Sequence, residues 1–335
     1  MAGKYRKQSR KAPKEVPIPK KIVGVIYGGP SSEHEVSLKT GKNVIEALEK
    51  SGTYEIRSII IDRNSNWYVQ NLHSTINEAL DGVDVVFNAM HGEFGEDGTI
   101  QGLLEALNIP YTGSNMRSSV IGMDKVATKL FLEKVGITTP NFKVYKNSTN
   151  FVAPDFAFPM VAKPAGKGSS FGVFIVNNDT ERLDAINAVC ELGGQVLVEE
   201  LIKGREITIG VLENYNNVAV QPLPITEIRP AAKYTFFDYE AKYTPGATEE
   251  ITPADLPEKL KKEVESIAIG VFEAIDARHY SRIDMIIDMY NNIYVLEINT
   301  LPGLTNTSLL PQQAREFGLP LEKLLEHLLQ LALSS

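Results

Sequence analysis

SRIDMIIDM-YNN-IYVLEIN, residues 281–299, alternates as a half-buried strand pair does. In the first run Ile283, Met285, Ile287 and Met289 share one side, and Arg282, Asp284, Ile286 and Asp288 share the other. In the second run Val295, Glu297 and Asn299 share a face. The intervening Tyr290-Asn291-Asn292 predicts an antiparallel hairpin. A two-residue turn at Asn291-Asn292, which αL-tolerant asparagines suit, pairs Asp284 with Asn299. A turn one residue earlier pairs Asp284 with Glu297. Either register sets Asp284, Glu297 and Asn299 on one face, roughly 5 Å or one diagonal step apart. Two carboxylates and an amide oxygen are a hard, oxygen-only donor set that suits Mg²⁺ rather than zinc. Arg282, on the same face, is a fixed positive charge for an oxyanion. Taken alone, the pattern fits a solvated polar sheet face equally well.

Working outward, Leu256–Ala277 predicts a helix with Thr252-Pro253 as cap and first-turn proline, its stripe being Leu260, Val264, Ile267, Val271, Phe272 and Ile275. Leu321–Leu333 predicts another. Gln195–Leu201 and Glu206–Leu212 read as strands, and Met160–Val176 as a hairpin around the glycine-rich loop Ala165–Gly172. Backbone amides and hydroxyls in such a loop, with Lys163 on the strand leading into it, can follow a polyphosphate, although the Walker A order is absent. A mobile polar hairpin tip is the competing reading. Lys21–Tyr27 reads as a buried strand ending in Gly28-Gly29, followed by a capping box at Ser32 and Glu35 and a helix to about Lys50. Tyr54–Asp62 and Val83–Ala89 are further strands, and Ile100–Leu107 a helix. Strand–glycine–helix alternation over the first 110 residues predicts a small parallel sheet flanked by helices. The loop His91–Gly98 follows a strand, where open α/β sheets bind ligands. A lone histidine such as His91 also fits a structural hydrogen-bonding role.

The chain's 335 residues exceed one typical core, and 43% apolar with 23% charged residues is the composition of a soluble globular protein. No stretch approaches eighteen consecutive apolar residues, which excludes a transmembrane helix. The N-terminus has no apolar segment behind its basic residues, so no secretory signal is expected and the cytoplasm is the expected location. Cys190 is the only cysteine, which rules out an internal disulfide; its helical setting predicts a buried thiol. Residues 1–21 carry eight Lys/Arg against Glu15, so the body is more acidic than the overall net charge of −8. An acidic body argues against nucleic acid as a partner, and the basic tail (residues 1–20) is expected to be disordered. Pro140 and Lys146–Asn150 mark a boundary region. The expected units are 21–120, 121–212 and 213–335.

Eight motifs in fixed order carry more than any one of them. They are GGPSSEHEVS (28–37), HGEFGEDG (91–98), GMDK (122–125), AKP with GSSFG (162–172), EEL with KGREIT (199–208), DYEAKY (238–243), RID (282–284) and EINTLPGLTNTSLLP (297–311). Together they resemble the D-alanine–D-alanine ligase family from about residue 21 to residue 333. The resemblance implies an α/β and α+β architecture: an ATP-grasp fold behind an N-terminal parallel-sheet domain. It implies ATP and two Mg²⁺ (or Mn²⁺) as cofactors, small-molecule substrates and a homodimer. The implied reaction runs through an acyl phosphate, with no protein nucleophile.

By position, the resemblance implies that Lys125 and Lys163 bind phosphates and that Lys242 reaches the γ-phosphate. Ser169 and Ser170 lie in the phosphate loop. Glu199, Glu200, Leu201 and Ile202 would bind adenine through backbone groups, and Glu206 the ribose. Asp284, Glu297 and Asn299 would hold the metals, with Glu297 bridging. Arg282 and the Gly303 amide would form the oxyanion hole. Glu33 would anchor the first ammonium, linked through Ser169 to Tyr243, with His91 beside it. Ser308 and the Leu309 amide would take the second carboxylate. Glu200 stands where many members have lysine, a change of little weight if contact there is through backbone. The rival readings are a D-lactate- or D-serine-adding ligase, another ATP-grasp carboxylate–amine ligase, and a catalytically silent nucleotide-binding protein.

Overall fold

The structure is a computed structural model and describes residues 19–146, 154, 156–168, 172–230 and 248–334. Residues 1–18 of the basic tail, most of the Lys146–Asn150 run, Ser169, Ser170, Lys242 and Tyr243 lie outside the described residues.

Around the first sheet run β1 (Ile22–Gly28), α1 (His34–Ser51), β2 (Glu55–Ile61), β3 (Trp67–Val69), β4 (Leu72–Ser74), α2 (Ile76–Leu80), β5 (Val85–Asn88) and α3 (Thr99–Ala106). The strand order is β4-β3-β2-β1-β5. β1 runs parallel to β2 and β5, whereas β3 and β4 add an antiparallel edge that the alternation did not predict. Three-residue strands are too short to show a period. β1 is apolar throughout because both its faces are covered: Val23 and Val25 enter one core, and Ile26 enters another with Ile59 and Trp67.

α1 has no side-chain cap, so the predicted Ser32/Glu35 capping box does not form. Ser31 organises the turn instead, its Oγ accepting from the Glu33 N–H (2.9 Å) and donating to the His91 carbonyl (2.7 Å). The turn needs glycine: Gly28 and Gly29 have φ of 95° and 94°, and a Cβ on Gly28 would lie 2.3 Å from the Ile61 carbonyl oxygen.

Two helices, α4 (Met116–Met123) and α5 (Lys125–Lys134), lead to the second sheet. It comprises β6 (Phe142–Tyr145), β7 (Met160–Pro164), β8 (Phe174–Val176) and β9 (Val196–Glu200), ordered β6-β9-β7-β8 and antiparallel throughout. α6 (Asp179–Glu191) covers it with Ala185, Ile186 and Val189. Cys190 on that helix is partly rather than fully buried.

The third sheet is built of β10 (Gly204–Tyr215), β11 (Val218–Pro222), β12 (Thr226–Pro230), β13 (Thr248–Ile251), β14 (Tyr280–Asp288) and β15 (Ile293–Asn299). Its main path runs β13-β12-β10-β14-β15, with β11 paired to β10. α7 (Glu258–Ala274) packs on it with Leu260, Val264, Val271 and Phe272. Its N-cap is Pro257, so Thr252-Pro253 lies ahead of the helix instead of capping it.

The expected 212/213 cut falls inside β10, which belongs wholly to the third sheet. The chain after β15, with α8 (Leu309–Glu316) and α9 (Leu321–Ser334), returns to the first sheet. There Leu301, Leu304, Leu310, Leu324, Leu325, Leu328 and Leu329 share one core with Val23, Val25 and Phe87. The linker between β15 and α8 therefore crosses from one unit to another, which positions the site below.

Candidate active site

The hairpin β14–β15 turns over Met289-Tyr290-Asn291, with Asn291 left-handed at φ 66°. From that turn Ile287 pairs with Ile293 and Met285 with Val295; one step further Asp284 pairs with Glu297 and Arg282 with Asn299. The register shift is a β-bulge that inserts Leu296. Without it Asp284 would face Leu296, and Glu297 would turn to the other side. The bulge also separates Val295, fully buried beside Met285, from Glu297 and Asn299, with which strict alternation had grouped it. Leu296 and Glu297, neighbours in sequence, thus both reach the same cleft.

Two adjoining cavities meet there. The larger, of about 270 Å³, is lined by Glu33, His91, Glu96, Lys125, Arg282, Glu297, Asn299, Gly303, Ser308 and Leu309. The smaller, of about 160 Å³, is lined by Lys163, Glu199, Glu200, Leu201, Ile202, Glu206 and Asp284, with Val161, Ile175, Ile286 and Leu296 as an apolar slot. Lys125, Arg282, Glu297 and Leu309 line both. Every described residue assigned to the site from sequence therefore faces one cavity or the other.

The wall between them is charged on both sides. Lys125 Nζ lies 3.0 Å from Glu297 Oε2 and donates to the Lys167 carbonyl at 2.8 Å. Burial opposes the Lys125 charge, but Glu297, then Glu199 and Glu96, outweigh it and raise its pKa. Arg282 donates to both Asp284 oxygens, at 2.9 and 2.8 Å. Burial opposes this charge as well, and Asp284 followed by Glu297 and Glu96 overcomes it, leaving a permanent cation 7% exposed. Asn299 Oδ1 accepts from the Leu301 N–H at 3.0 Å, which fixes the amide's orientation and leaves its second lone pair.

The Glu199 side chain is tied up within the protein. Its carboxylate is buried between Lys129 (2.6 Å) and Lys163 (2.5 Å), which leaves only its backbone facing the smaller cavity. Lys129 is fully buried and was missed in the sequence, although it stands one helical turn beyond Lys125 on α5. Burial pushes its pKa down. Also missed were Glu96, which accepts from the Gly92 N–H at 3.0 Å and faces His91 Nδ1 at 3.3 Å, and the ion pair of Lys167 with Glu93 at 2.7 Å. His91 is 4% exposed with Nε2 2.8 Å from Thr40 Oγ1, so it is a fixed wall group rather than a mobile acid or base.

The glycine-rich loop comes close to Glu33: a Cβ on Gly168 would lie 2.9 Å from Glu33 Oε1. On the opposite wall Ser308 is the N-cap of α8, yet its hydroxyl makes no capping bond and instead meets Thr305 Oγ1 at 2.7 Å. A helix start not capped by its own side chain favours an anion. A Cβ on Gly303 would lie 2.9 Å from Ser308 Oγ. Gly303→Ala is therefore expected to displace Ser308 and raise the KM of whatever carboxylate binds there, at least several-fold, with the melting temperature little changed. Steady-state kinetics on that substrate would show it.

The model of the D-ala D-ala ligase C-terminus matches residues 131–330, and that of the N-terminus matches residues 22–79 and 70–114. The chain belongs to the D-alanine–D-alanine ligase family. The D-alanine--D-alanine ligase of Syntrophotalea carbinolica is 43% identical over 93% of this chain and 96% of its own. A crystal structure of D-alanine--D-alanine ligase from Bacillus anthracis complexed with ATP is 37% identical with a TM-score of 0.78, covering 95% of this chain and 98% of that one. The VanG D-Ala:D-Ser ligase of Enterococcus faecalis is 28% identical and also reaches 0.78, over 93% and 99% of the two chains. The family fold thus holds ligases with different second substrates. Among the described residues no helix is long and apolar enough to cross a membrane.

Proposed function

We propose that this protein uses ATP to join two D-alanines into D-alanyl-D-alanine, the dipeptide of peptidoglycan precursors. The observation that carries the reading is the shared wall Lys125–Glu297–Arg282, at which an apolar-walled slot opens onto a polar cavity. ATP lies with adenine in the slot beside Glu199–Ile202, ribose at Glu206 and phosphates toward Lys125 and Lys163. Lys242, Ser169 and Ser170 complete the phosphate contacts. Glu33, in a chain Glu33–Ser169–Tyr243 with His91 alongside, anchors the ammonium of the first D-alanine.

Among the described residues no three His, Cys, Asp or Glu cluster as a metal site, but Asp284, Glu297 and Asn299 supply two carboxylates and an amide oxygen. That donor set fits Mg²⁺ or Mn²⁺ completed by phosphate oxygens. Two such ions, held by Asp284, Glu297 and Asn299, would neutralise charge on the transferring phosphoryl group. The first D-alanine's carboxylate oxygen attacks the γ-phosphorus, giving D-alanyl phosphate and ADP. The second D-alanine, its carboxylate at Ser308 and the Leu309 amide, attacks the carbonyl carbon through its neutral amine. Arg282 and the Gly303 N–H hold the tetrahedral oxyanion, and phosphate leaves as the amide forms. The attacking amine must shed a proton, and a free α-amino group has a pKa of roughly 8.

Phosphate release that requires D-alanine separates this reading from a silent nucleotide binder and from a ligase for other carboxylates. A competition between D-alanine and D-lactate over pH 6–9, products resolved by mass, decides the acceptor. The dipeptide is expected to dominate from neutral pH upward, with Tyr243→Phe raising the D-lactate share most near pH 6. Predominant depsipeptide from the unmutated enzyme at pH 8 promotes the D-lactate reading. The proposal includes three units, meeting at the cleft and built on the three sheets, together with a cytoplasmic homodimer.

A further inference from the structure

We propose that Thr208 and Gln313 are positioning residues which tie the acceptor end of the large cavity to the metal carboxylate Asp284. This rests on the metal and acceptor assignments just proposed. Thr208 on β10 pairs directly with Asp284 on β14, and its Oγ1 donates to Asp284 Oδ1 at 2.5 Å. With Arg282 on both oxygens from the other side, this hydroxyl fixes the carboxylate plane and thereby the direction of its remaining lone pairs. Gln313 then reaches Thr208 from α8. Its Nε2 donates to the Thr208 carbonyl at 3.0 Å and to Thr226 Oγ1 at 3.1 Å. Gln313 lies one helical turn beyond Leu309, so the helix start that carries Ser308 and Leu309 is pinned to the strand that aims Asp284.

Thr208, Thr226 and Gln313 are all fully buried. Gln313 Oε1 has no hydrogen-bond partner there, and a Cβ on Gly210 would lie 2.8 Å from it. An apolar side chain of the same length would avoid burying that orphan acceptor. That orphan acceptor offsets part of what the two donated hydrogen bonds contribute to stability, and what the side chain fixes is distance: from the acceptor's carboxylate site, along α8 and through Thr208, to the group that holds the metal.

The test compares Thr208→Val, which keeps the shape and removes the hydroxyl, with Thr208→Ser, which keeps the hydroxyl, and with Gln313→Met. Mn²⁺ binding with a non-hydrolysable ATP analogue, followed by electron paramagnetic resonance, reads the metal arm without turnover. Thr208→Val is expected to weaken Mn²⁺ ~10–100-fold and to raise the Mg²⁺ KM alongside, while Thr208→Ser stays near the parent. Gln313→Met is expected to raise the acceptor KM several-fold while the protein stays folded, any fall in melting temperature being limited by loss of the orphan acceptor. Parent-like Mn²⁺ binding by Thr208→Val, failure of Thr208→Ser to restore it, or a parent-like acceptor KM in Gln313→Met would overturn the proposal. Should Thr208→Val not fold, the serine and methionine variants still decide. A parent that releases no phosphate with D-alanine overturns the ligase reading instead, and the Mn²⁺ comparison remains interpretable.

Discussion

Glu297→Ala is expected to abolish turnover. The carboxylate lines both cavities, stands opposite Asp284 across the hairpin and lies 3.0 Å from Lys125. Removing a stabiliser of developing charge commonly costs ~10²–10³-fold in rate, and a ligand common to two ions should cost at least that. The fold should survive, because the Glu297 side chain is a third exposed and Lys125 keeps the field of Glu199 and Glu96. Glu297→Gln, which keeps the shape and loses the charge, should fall nearly as far. The measurement is phosphate release at saturating magnesium, with circular dichroism as control. Near-normal release by either variant refutes the metal assignment.

Glu199→Ala should have the largest effect on stability. It leaves fully buried Lys129 and nearly buried Lys163 without the carboxylate between them. Breaking a buried ion pair from one side costs ~3–5 kcal/mol, because the remaining charge is left uncompensated. Burial pushes the Glu199 pKa up, but Lys129 and then Lys163 more than reverse this, so the folded-state value is below the usual range. A depressed folded-state pKa means that the stabilisation is complete above the unfolded-state value of roughly 4.3 and is lost as pH falls through the lower folded-state one. Urea midpoints should therefore differ most between parent and variant at neutral pH and converge below about pH 4. Equal midpoints at pH 7 would mean that the two lysines find other partners. The affinity for ATP should fall as well, since Lys163 loses the group that aims it.

Much of the site could be read from sequence because its residues sit on regular alternation or in short, dense motifs. Asp284, Glu297 and Asn299 were placed on one face by period alone, and the expected pairing of Asp284 with Glu297 occurs, but through a three-residue turn plus a bulge, not through a turn one residue earlier. What alternation could not supply was the bulge: Leu296 is apolar and fits either side of a strand, so an inserted residue leaves no mark in the pattern. The capping box failed for a related reason. Ser31 and Ser32 are adjacent and equally suited, and only the neighbouring loop at His91 selects Ser31. Lys129 was overlooked because a lysine on a helix reads as a solvated group, and its counter-charge lies 70 residues away in sequence at Glu199. The helix expected over Leu321–Leu333 came without a partner, since periodicity gives a face and no address.

That partner has a consequence for how the protein comes into being. The strands β1, β2 and β5 are complete by residue 88, yet the leucines that close one face of their core arrive with a helix beginning at Leu321. A ribosome adding ~5–20 residues per second needs roughly 10–50 s to cover that interval. For all of it Val23, Val25 and Phe87 lack their final cover, while the two later sheets can already be forming. The unit made first is thus the one finished last, and the crossing from residue 299 to residue 309 that completes it also brings Gly303, Ser308 and Leu309 into the cavity. Delivery of Gly303, Ser308 and Leu309 to the cavity and closure of the first core thus both wait on the chain beyond residue 299, and a nascent chain lacks both until then.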